Sequence, residues 1–337
     1  MIMTNYILRR LFWLIPVILV VSVVTFFLMH NTPGGPWDID LSLRQVDATT
    51  QRQLNDYYGL DKPLWRQYVA YMIGDVKSNG TFQCGAICLN LGPSYRQRGS
   101  TVQSILFQPP EDLNFLYSKF GYSVRLATLA MAMAILIGFP VGILSALKQN
   151  SWIDYTSLFF VTIGISVPGF VMAIFLIIIF GATLHLLPII PSNWDELKVW
   201  IMPAVVLGFG VMARTARLTR SSMLDVMRQD YIRTARAKGL AERVVIFRHM
   251  VKNALIPVVT YLGPAMAVMI TGAFIIEYMF GFPGIGREFV VAIQRRDYSM
   301  IMGSTLIFAV MIAVANLAVD LVYTFLDPRI KLSEKGS

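Results

Sequence analysis

The sequence predicts an all-α integral membrane protein with six membrane-spanning helices and both termini in the cytoplasm. Three observations predict it. Of the 337 residues, 55% are hydrophobic and only 15% charged, against about 25% charged in a soluble domain. A soluble globule could not cover that apolar surface. The apolar residues fall in long runs, and a run of about 20 crosses about 30 Å of hydrocarbon. The 29 Lys and Arg, which with 20 Asp and Glu give a net charge of +9, gather between particular runs. The same composition excludes disorder, collagen and a disulfide scaffold.

The runs follow in order. Leu11 to Met29 is the first, behind Arg9 and Arg10. His30-Asn31-Thr32-Pro33 offers no small-x-small cleavage site, so it reads as a retained anchor rather than a removed signal. Leu126 to Leu147 is the second. The third lies within Ser157 to Leu184, and a tight hairpin through Lys148-Gln149-Asn150 joins it to the second. Val199 to Ala213 is the fourth and short, at 15 residues. Ala254 to Phe280 and Ile301 to Leu326 are the fifth and sixth. Pro168-Gly169 and Gly263-Pro264 are the expected breaks. Gly138 and Gly142, four apart, suit close helix packing.

Orientation follows from basic residues in the short loops and tails. Arg9, Arg10, Lys148, ten bases within 214–252, and Arg329, Lys331 and Lys335 share one side, against Lys198, Arg287, Arg295 and Arg296 on the other. The richer side is expected to be cytoplasmic. Residues 31–120 then lie outside, in a loop too long for a plain connector. Tyr57, Tyr58, Leu60, Leu64, Tyr68 and Tyr71 recur there at roughly helical spacing, so a small helical subdomain over the membrane surface is expected. Cys84 and Cys88 fall in the same loop. They read as a local disulfide turning at Gly85 or as free thiols; with no nearby His, a metal site has little support.

The chain has no G-x-x-x-x-G-K-[ST], no H-E-x-x-H and no G-x-S-x-G. No catalytic residue, metal ligand or bound cofactor is expected, and lipid explains the bases without nucleic acid. Acids in or beside the runs are few: Glu277, Asp320 and Asp154. Each reads either as a helix-end cap or ion-pair partner, or as a functional intramembrane acid.

The segment 214–256 is different in kind. Val226, Met227, Tyr231, Ile232 and Ala235 form one helical stripe, and Val244, Phe247, Val251 and Leu255 a second, with Gly239 as a stop between them. Its ten bases and three acids leave it strongly positive. Headgroup anchoring accounts for the charge. A helix, a glycine break and a second helix suit a knob for a cytosolic partner's groove.

Tyr231-Ile232-Arg233-Thr234-Ala235-Arg236-Ala237-Lys238-Gly239-Leu240, then Asn253-Ala254-Leu255-Ile256-Pro257, resembles the cytoplasmic loop of ABC importer permeases of the oligopeptide/dipeptide class, the transmembrane subunits of binding-protein-dependent transport systems. Further stretches resemble the same family in order. They are Leu8-Arg9-Arg10-Leu11 and Gly59-Leu60-Asp61-Lys62-Pro63, both like the B-type subunit, Leu218 to Met223, Glu277 with Phe280 to Gly286, Arg295 to Tyr298, and Asp320 to Tyr323 with Asp327-Pro328-Arg329. One departure is Arg233-Thr234-Ala235, where the wider importer pattern has Glu-Ala-Ala. The Cys84–Cys88 stretch is outside the family pattern.

The resemblance implies a type I ABC importer permease fold. Residues 1–30 would hold the N-terminus and first span, 31–120 the outer subdomain, 121–326 the permease core with coupling loop 214–256, and 327–337 a cytoplasmic tail. It implies that Ala235, Arg236, Ala237, Lys238, Gly239 and Leu240 couple the chain to an ATPase. Glu277, Pro283, Gly284 and Asp320 are candidate gating or structural positions. The implied partners are a second related permease, two ATPase subunits that use ATP and Mg, and an extracytoplasmic binding protein, all at a bacterial or archaeal plasma membrane. The implied cargo is di- or oligopeptides, with nickel chelates or oligosaccharides as the alternative for the same permease type. An ATP-independent channel or carrier would need a midplane ionisable cluster or strong repeats, and a receptor or scaffold would leave six spans idle.

Overall fold

The apolar runs become helices because the hydrocarbon offers no partner for a free backbone N–H or C=O. The computed structural model describes residues 2–37, 48–76, 81–111, 113–191 and 193–326, with the side chains of 2–8, 11, 48, 272 and 319–326 excepted. In chain order the elements are α1 (Ile2–Asn31), α2 (Ala48–Tyr58), α3 (Leu64–Met72), β1 (Gly74–Val76), β2 (Phe82–Cys84), α4 (Val102–Phe107), α5 (Lys119–Leu147), α6 (Trp152–Ser166) and α7 (Gly169–Leu176). Then come α8 (Lys198–Met227), α9 (Asp230–Ala237), α10 (Glu242–Val244), α11 (Lys252–Ala254), α12 (Ile256–Gly272), α13 (Phe274–Met279), α14 (Ile285–Arg295) and α15 (Tyr298–Leu326). Among the described residues, four helices are long and apolar enough to cross a membrane singly, and two bent pairs complete six when each pair is one span. The tail 327–337 and the Asp320 side chain lie outside the described residues.

Two units divide the chain: Met1–Tyr122 with Pro283–Ala313, and Ser123–Phe282 with Val314–Ser337. In the first, the expected helical subdomain is present as α2, α3 and α4, with one addition. β1 and β2 pair antiparallel, Asp75 opposite Gln83, in strands of three residues that are too short to show alternation in sequence. The Cys84–Cys88 disulfide closes the turn that follows, with Cα atoms 5.9 Å apart. The aromatic stripe is split. Tyr68, Tyr71 and Leu60 pack on Phe26, Met29, Tyr298 and Met302, while Tyr57 and Leu64 are exposed. Gly59, at φ +68°, turns the chain between α2 and α3, so the six positions never share one helix axis.

A buried acid holds this unit together. Asp297 accepts the Ser94 hydroxyl, the Tyr95 N–H at 3.1 Å and the Arg96 N–H at 3.3 Å. It also caps α15 by accepting the Met300 N–H at 3.2 Å.

The second unit bears out the break expected at Pro168-Gly169 and corrects other expectations. The third span is broken: α6 and α7 meet at a 110° bend, because Pro168 supplies no N–H and Val167 before it is extended. The fourth span is longer than its apolar run, since α8 continues through the bases to Met227. Much of 214–256 is thus rigid helix rather than loop. No break occurs at Gly263-Pro264, inside α12. The chain bends instead by 48° around Leu255, where Pro257 opens α12. Gly138 and Gly142 do pack closely. A Cβ at Gly142 would lie 2.5 Å from the Ala216 carbonyl, and one at Gly138 2.9 Å from that of Met212. This brings α5 against α8.

Asp154, 1% exposed, fastens the α5–α6 turn. Arg220 of α8 donates Nε and Nη2 to its two oxygens, each at 2.7 Å. The Ser145 hydroxyl and the Asn150 N–H add bonds of 2.5 and 3.0 Å. Of the two sequence readings of this acid, the ion-pair partner describes the geometry.

Candidate functional site

The segment between α8 and α12 forms a knob with its own core. Ile232 and Ala235 of α9 are buried against Met223, Val245, Met250, Ala254 and Ala146, with Ile143 and Leu147 of α5 alongside. The knob is therefore continuous with α5 and α8. Its buried phase differs from the one expected. Val226 and Met227 belong to the end of α8, and a turn at Arg228-Gln229 precedes α9. In the second stripe Val244 and Phe247 are exposed at 39% and 61%, while Val245 and Met250 are fully buried. The reason is local: Val245–Val251 is π-helical, and i→i+5 bonding shifts which residues share a face.

At the tip, α9 ends in a Schellman cap. Gly239 stands at φ +75°, its N–H donates to the Arg236 carbonyl at 2.9 Å, and the Leu240 N–H donates to that of Ala235 at 3.4 Å. Glycine is favoured here by its φ and not by lack of space, since an added Cβ would meet nothing within 4 Å. Arg236 donates to Glu242 through Nε at 3.1 Å and Nη2 at 2.6 Å, a fork across the Gly239 turn that raises the already high Arg236 pKa. The Asn253 amide donates to the Tyr231 hydroxyl at 2.9 Å and so ties α11 to α9.

The six positions expected to couple therefore divide. Arg236, Ala237, Lys238, Gly239 and Leu240 form an exposed tip. Ala235, at 6% exposure, is packed inside the knob and is not part of its exposed tip. Arg236 is occupied by Glu242 and acts first as a brace.

The other predicted positions sit elsewhere in the fold. Glu277 is completely buried and accepts the Ser123 hydroxyl at 2.7 Å. Its helix α13 ends in a second Schellman cap, with Gly281 at φ +62°; the Gly281 N–H reaches the Tyr278 carbonyl at 3.2 Å and the Phe282 N–H that of Glu277 at 2.7 Å. Phe282 is enclosed by Trp194 and Trp200, with ring centroids at 4.7 and 4.9 Å. Gly284 is the extended N-cap of α14 and Pro283 precedes it. Sequence reasoning passed over Arg125, whose guanidinium lies 4.5 Å over the Trp200 ring. A base at the edge of an apolar run was the available signal. Asp297 was noted only within a motif, and its clamp depends on residues about 200 positions away.

Long apolar helices, with one compact polar knob between α8 and α12, define a multi-pass membrane protein. The chain belongs to the family described as the binding-protein-dependent transport system inner membrane component, whose model matches residues 138–332. The N-terminal model for membrane components of such systems matches residues 3–115. The dipeptide transport system permease protein of Bacillus subtilis is 38% identical over 334 residues, covering 99% of this chain and 100% of its own. The oligopeptide transport system permease protein of Salmonella typhimurium is 36% identical over 329 residues, covering 98% and 100%. The chain is thus an inner-membrane permease subunit of an ABC importer, working with the other components of such a system.

Proposed function

We propose that this permease conducts di- and oligopeptides into the cytoplasm by alternating access. The observation that carries the cargo class is the end-to-end match to relatives named for dipeptide and oligopeptide transport. In this reading a second related permease lies beside it, two ATPase subunits take the knobs, and a binding protein on the far side delivers solute. The knob side and both termini face the cytoplasm, as the bases require. ATP and Mg are consumed on the ATPases, and this chain supplies the mechanical link.

The link has a physical form. The tip is stiffened by the Schellman cap and the Arg236–Glu242 fork, and its core is shared with α5 and α8. A displacement of the tip must therefore move α8, and through Asp154 and Arg220 the α5–α6 turn with it. The bend at Pro168 gives that movement a place to act.

The test is uptake of labelled di- and oligopeptides in cells lacking only this gene and any redundant importer. Wild type should restore ATP-dependent uptake. Gly239→Asp should be inserted at wild-type level and restore none. Asp tolerates a left-handed φ better than most residues and meets no neighbour here, so the fold survives while a negative charge occupies the tip. Wild-type uptake by Gly239→Asp would remove the coupling assignment. Failure of the wild type to restore peptide uptake would remove peptides as cargo, with nickel chelates and oligosaccharides tested next.

A further inference from the structure

We propose that a cavity within the second unit is a binding site for the solute's carboxylate, with Arg214 as its cation and Tyr261 as its hydroxyl donor. This deepens the peptide reading and rests on it. The cavity holds about 240 Å³, and its wall includes Gly164, Gly169, Phe209, Gly210, Arg214 and Tyr261. Residues on both sides of the 110° bend between α6 and α7 line it, Gly164 and Val167 before it and Gly169 and Met172 after it. At one end the helices touch, where a Cβ on Gly164 would lie 2.6 Å from that of Ala213. Beside the bend the space is open, and a Cβ on Gly169 would find only Ile276 at 3.8 Å and Val206 at 4.0 Å.

Among the described residues the lining is glycine, aliphatic, aromatic and Met172 apart from Arg214 and Tyr261, with no Asp or Glu. The two polar groups line the same cavity. Arg214 is six residues before Arg220 on α8, about 9 Å further into the bundle. Arg220 is neutralised by Asp154 at the α5–α6 turn, whereas the cavity offers Arg214 no acid. Arg214 stands just past the apolar run of α8 and lines this cavity, the placement expected of a base on a solute path.

The chemistry selects a carboxylate. A guanidinium presents paired donors matched to its two oxygens, and the tyrosine hydroxyl can donate a further bond. The apolar walls strengthen the attraction and accept varied side chains. A terminal carboxylate is common to every unmodified peptide, so the site reads the class and not the sequence. Arg214 remains exposed in the isolated chain, which keeps the hold weak enough for release.

The test uses the whole importer in proteoliposomes, with its partner permease, ATPases and binding protein. Peptide moved per ATP hydrolysed is measured for one peptide as free acid and as C-terminal amide. Both are supplied at concentrations that saturate the binding protein, with its affinity for each measured separately. Wild type should move the acid at least tenfold more efficiently than the amide. Arg214→Gln should bring the acid down to the amide's level, Arg214→Lys should retain most of the difference, and Tyr261→Phe should lose part of it. If Arg214→Gln preserved the preference, or slowed acid and amide equally, the site would be overturned while the peptide reading stood. A wild-type importer that hydrolysed ATP and moved neither peptide would overturn both.

Discussion

Removing the Asp154 carboxylate should destabilise the second unit sharply, and removing Arg220 as well should repair much of the damage. Asp154 is 1% exposed and takes four donors, two of them from Arg220. Deleting one partner of a buried ion pair costs roughly 3–5 kcal/mol, because the other charge is stranded. The Arg220 side chain keeps 20% of its exposure, which places the cost at the lower end, about 3 kcal/mol. For a unit of this size each kcal/mol moves the melting temperature by about 2–4 °C, so Asp154→Ala should melt about 6–12 °C below wild type. Thermal unfolding of the purified protein in detergent micelles, followed by tryptophan fluorescence, reads this directly, since Trp152, Trp194 and Trp200 all lie in the second unit. Adding Arg220→Met should recover at least half of the loss, because an apolar replacement of both partners leaves no orphan charge. A shift of less than about 2 °C for Asp154→Ala, or simple additivity in the double variant, would refute the reasoning.

Three further outcomes are expected. Asp297→Ala leaves four donors without their acceptor, and trypsin cutting at Arg96 or Arg98 should rise by about tenfold, the equivalent of one or two lost hydrogen bonds; an unchanged cutting rate would contradict the clamp. Gly142→Ala forces a Cβ to within 2.5 Å of the Ala216 carbonyl and 2.6 Å of Thr219 Cβ, and should cost about 1–3 kcal/mol as overpacking, read as a lower melting temperature; Gly138→Ala, with more room, should cost less. The Lys62 ammonium beside Asp75 holds that carboxyl below the usual carboxylate range, so the pair's stabilisation is complete above the ordinary pKa of about 3.9 and is lost as pH falls through the lower folded value. Melting curves of wild type and Asp75→Asn should accordingly differ at pH 7 and converge well below pH 4; a constant gap across that range would count against the pair.

The reach of sequence reasoning varies from element to element. The spans were legible because hydropathy reports on each residue's own surroundings, as α1, α5 and α15 illustrate. Hydropathy placed the end of the fourth run at Ala213 because the environment changes there; the helix itself continues to Met227, since backbone hydrogen bonding does not depend on side-chain polarity. Pro168 announced a break and left its 110° angle open. Pro264 announced one that did not occur, because a helix interior can absorb a proline when its neighbours satisfy the freed carbonyl.

The knob shows the same division at finer scale. Gly239 was recognisable as a stop, and the structure gives the stop its form, a left-handed cap that only glycine adopts without strain. The buried phase after it was not recognisable, because a π-helical turn replaces the assumed period of 3.6 residues. Ala235 and Gly239 belong to one contiguous motif, yet one is in the knob's core and the other at its tip.

By itself the sequence determined that this chain spans a membrane with helices, which segment protrudes as a polar knob, and where that knob turns. Those properties are local, written in hydropathy, charge and glycine. Only the tertiary structure decided that Arg220 belongs to Asp154, that Asp297 holds Ser94 and its neighbours, and that Arg214 shares a cavity with Tyr261. Each of these joins groups dozens to hundreds of residues apart. A buried polar group must find a partner somewhere, and its own sequence neighbourhood does not say where.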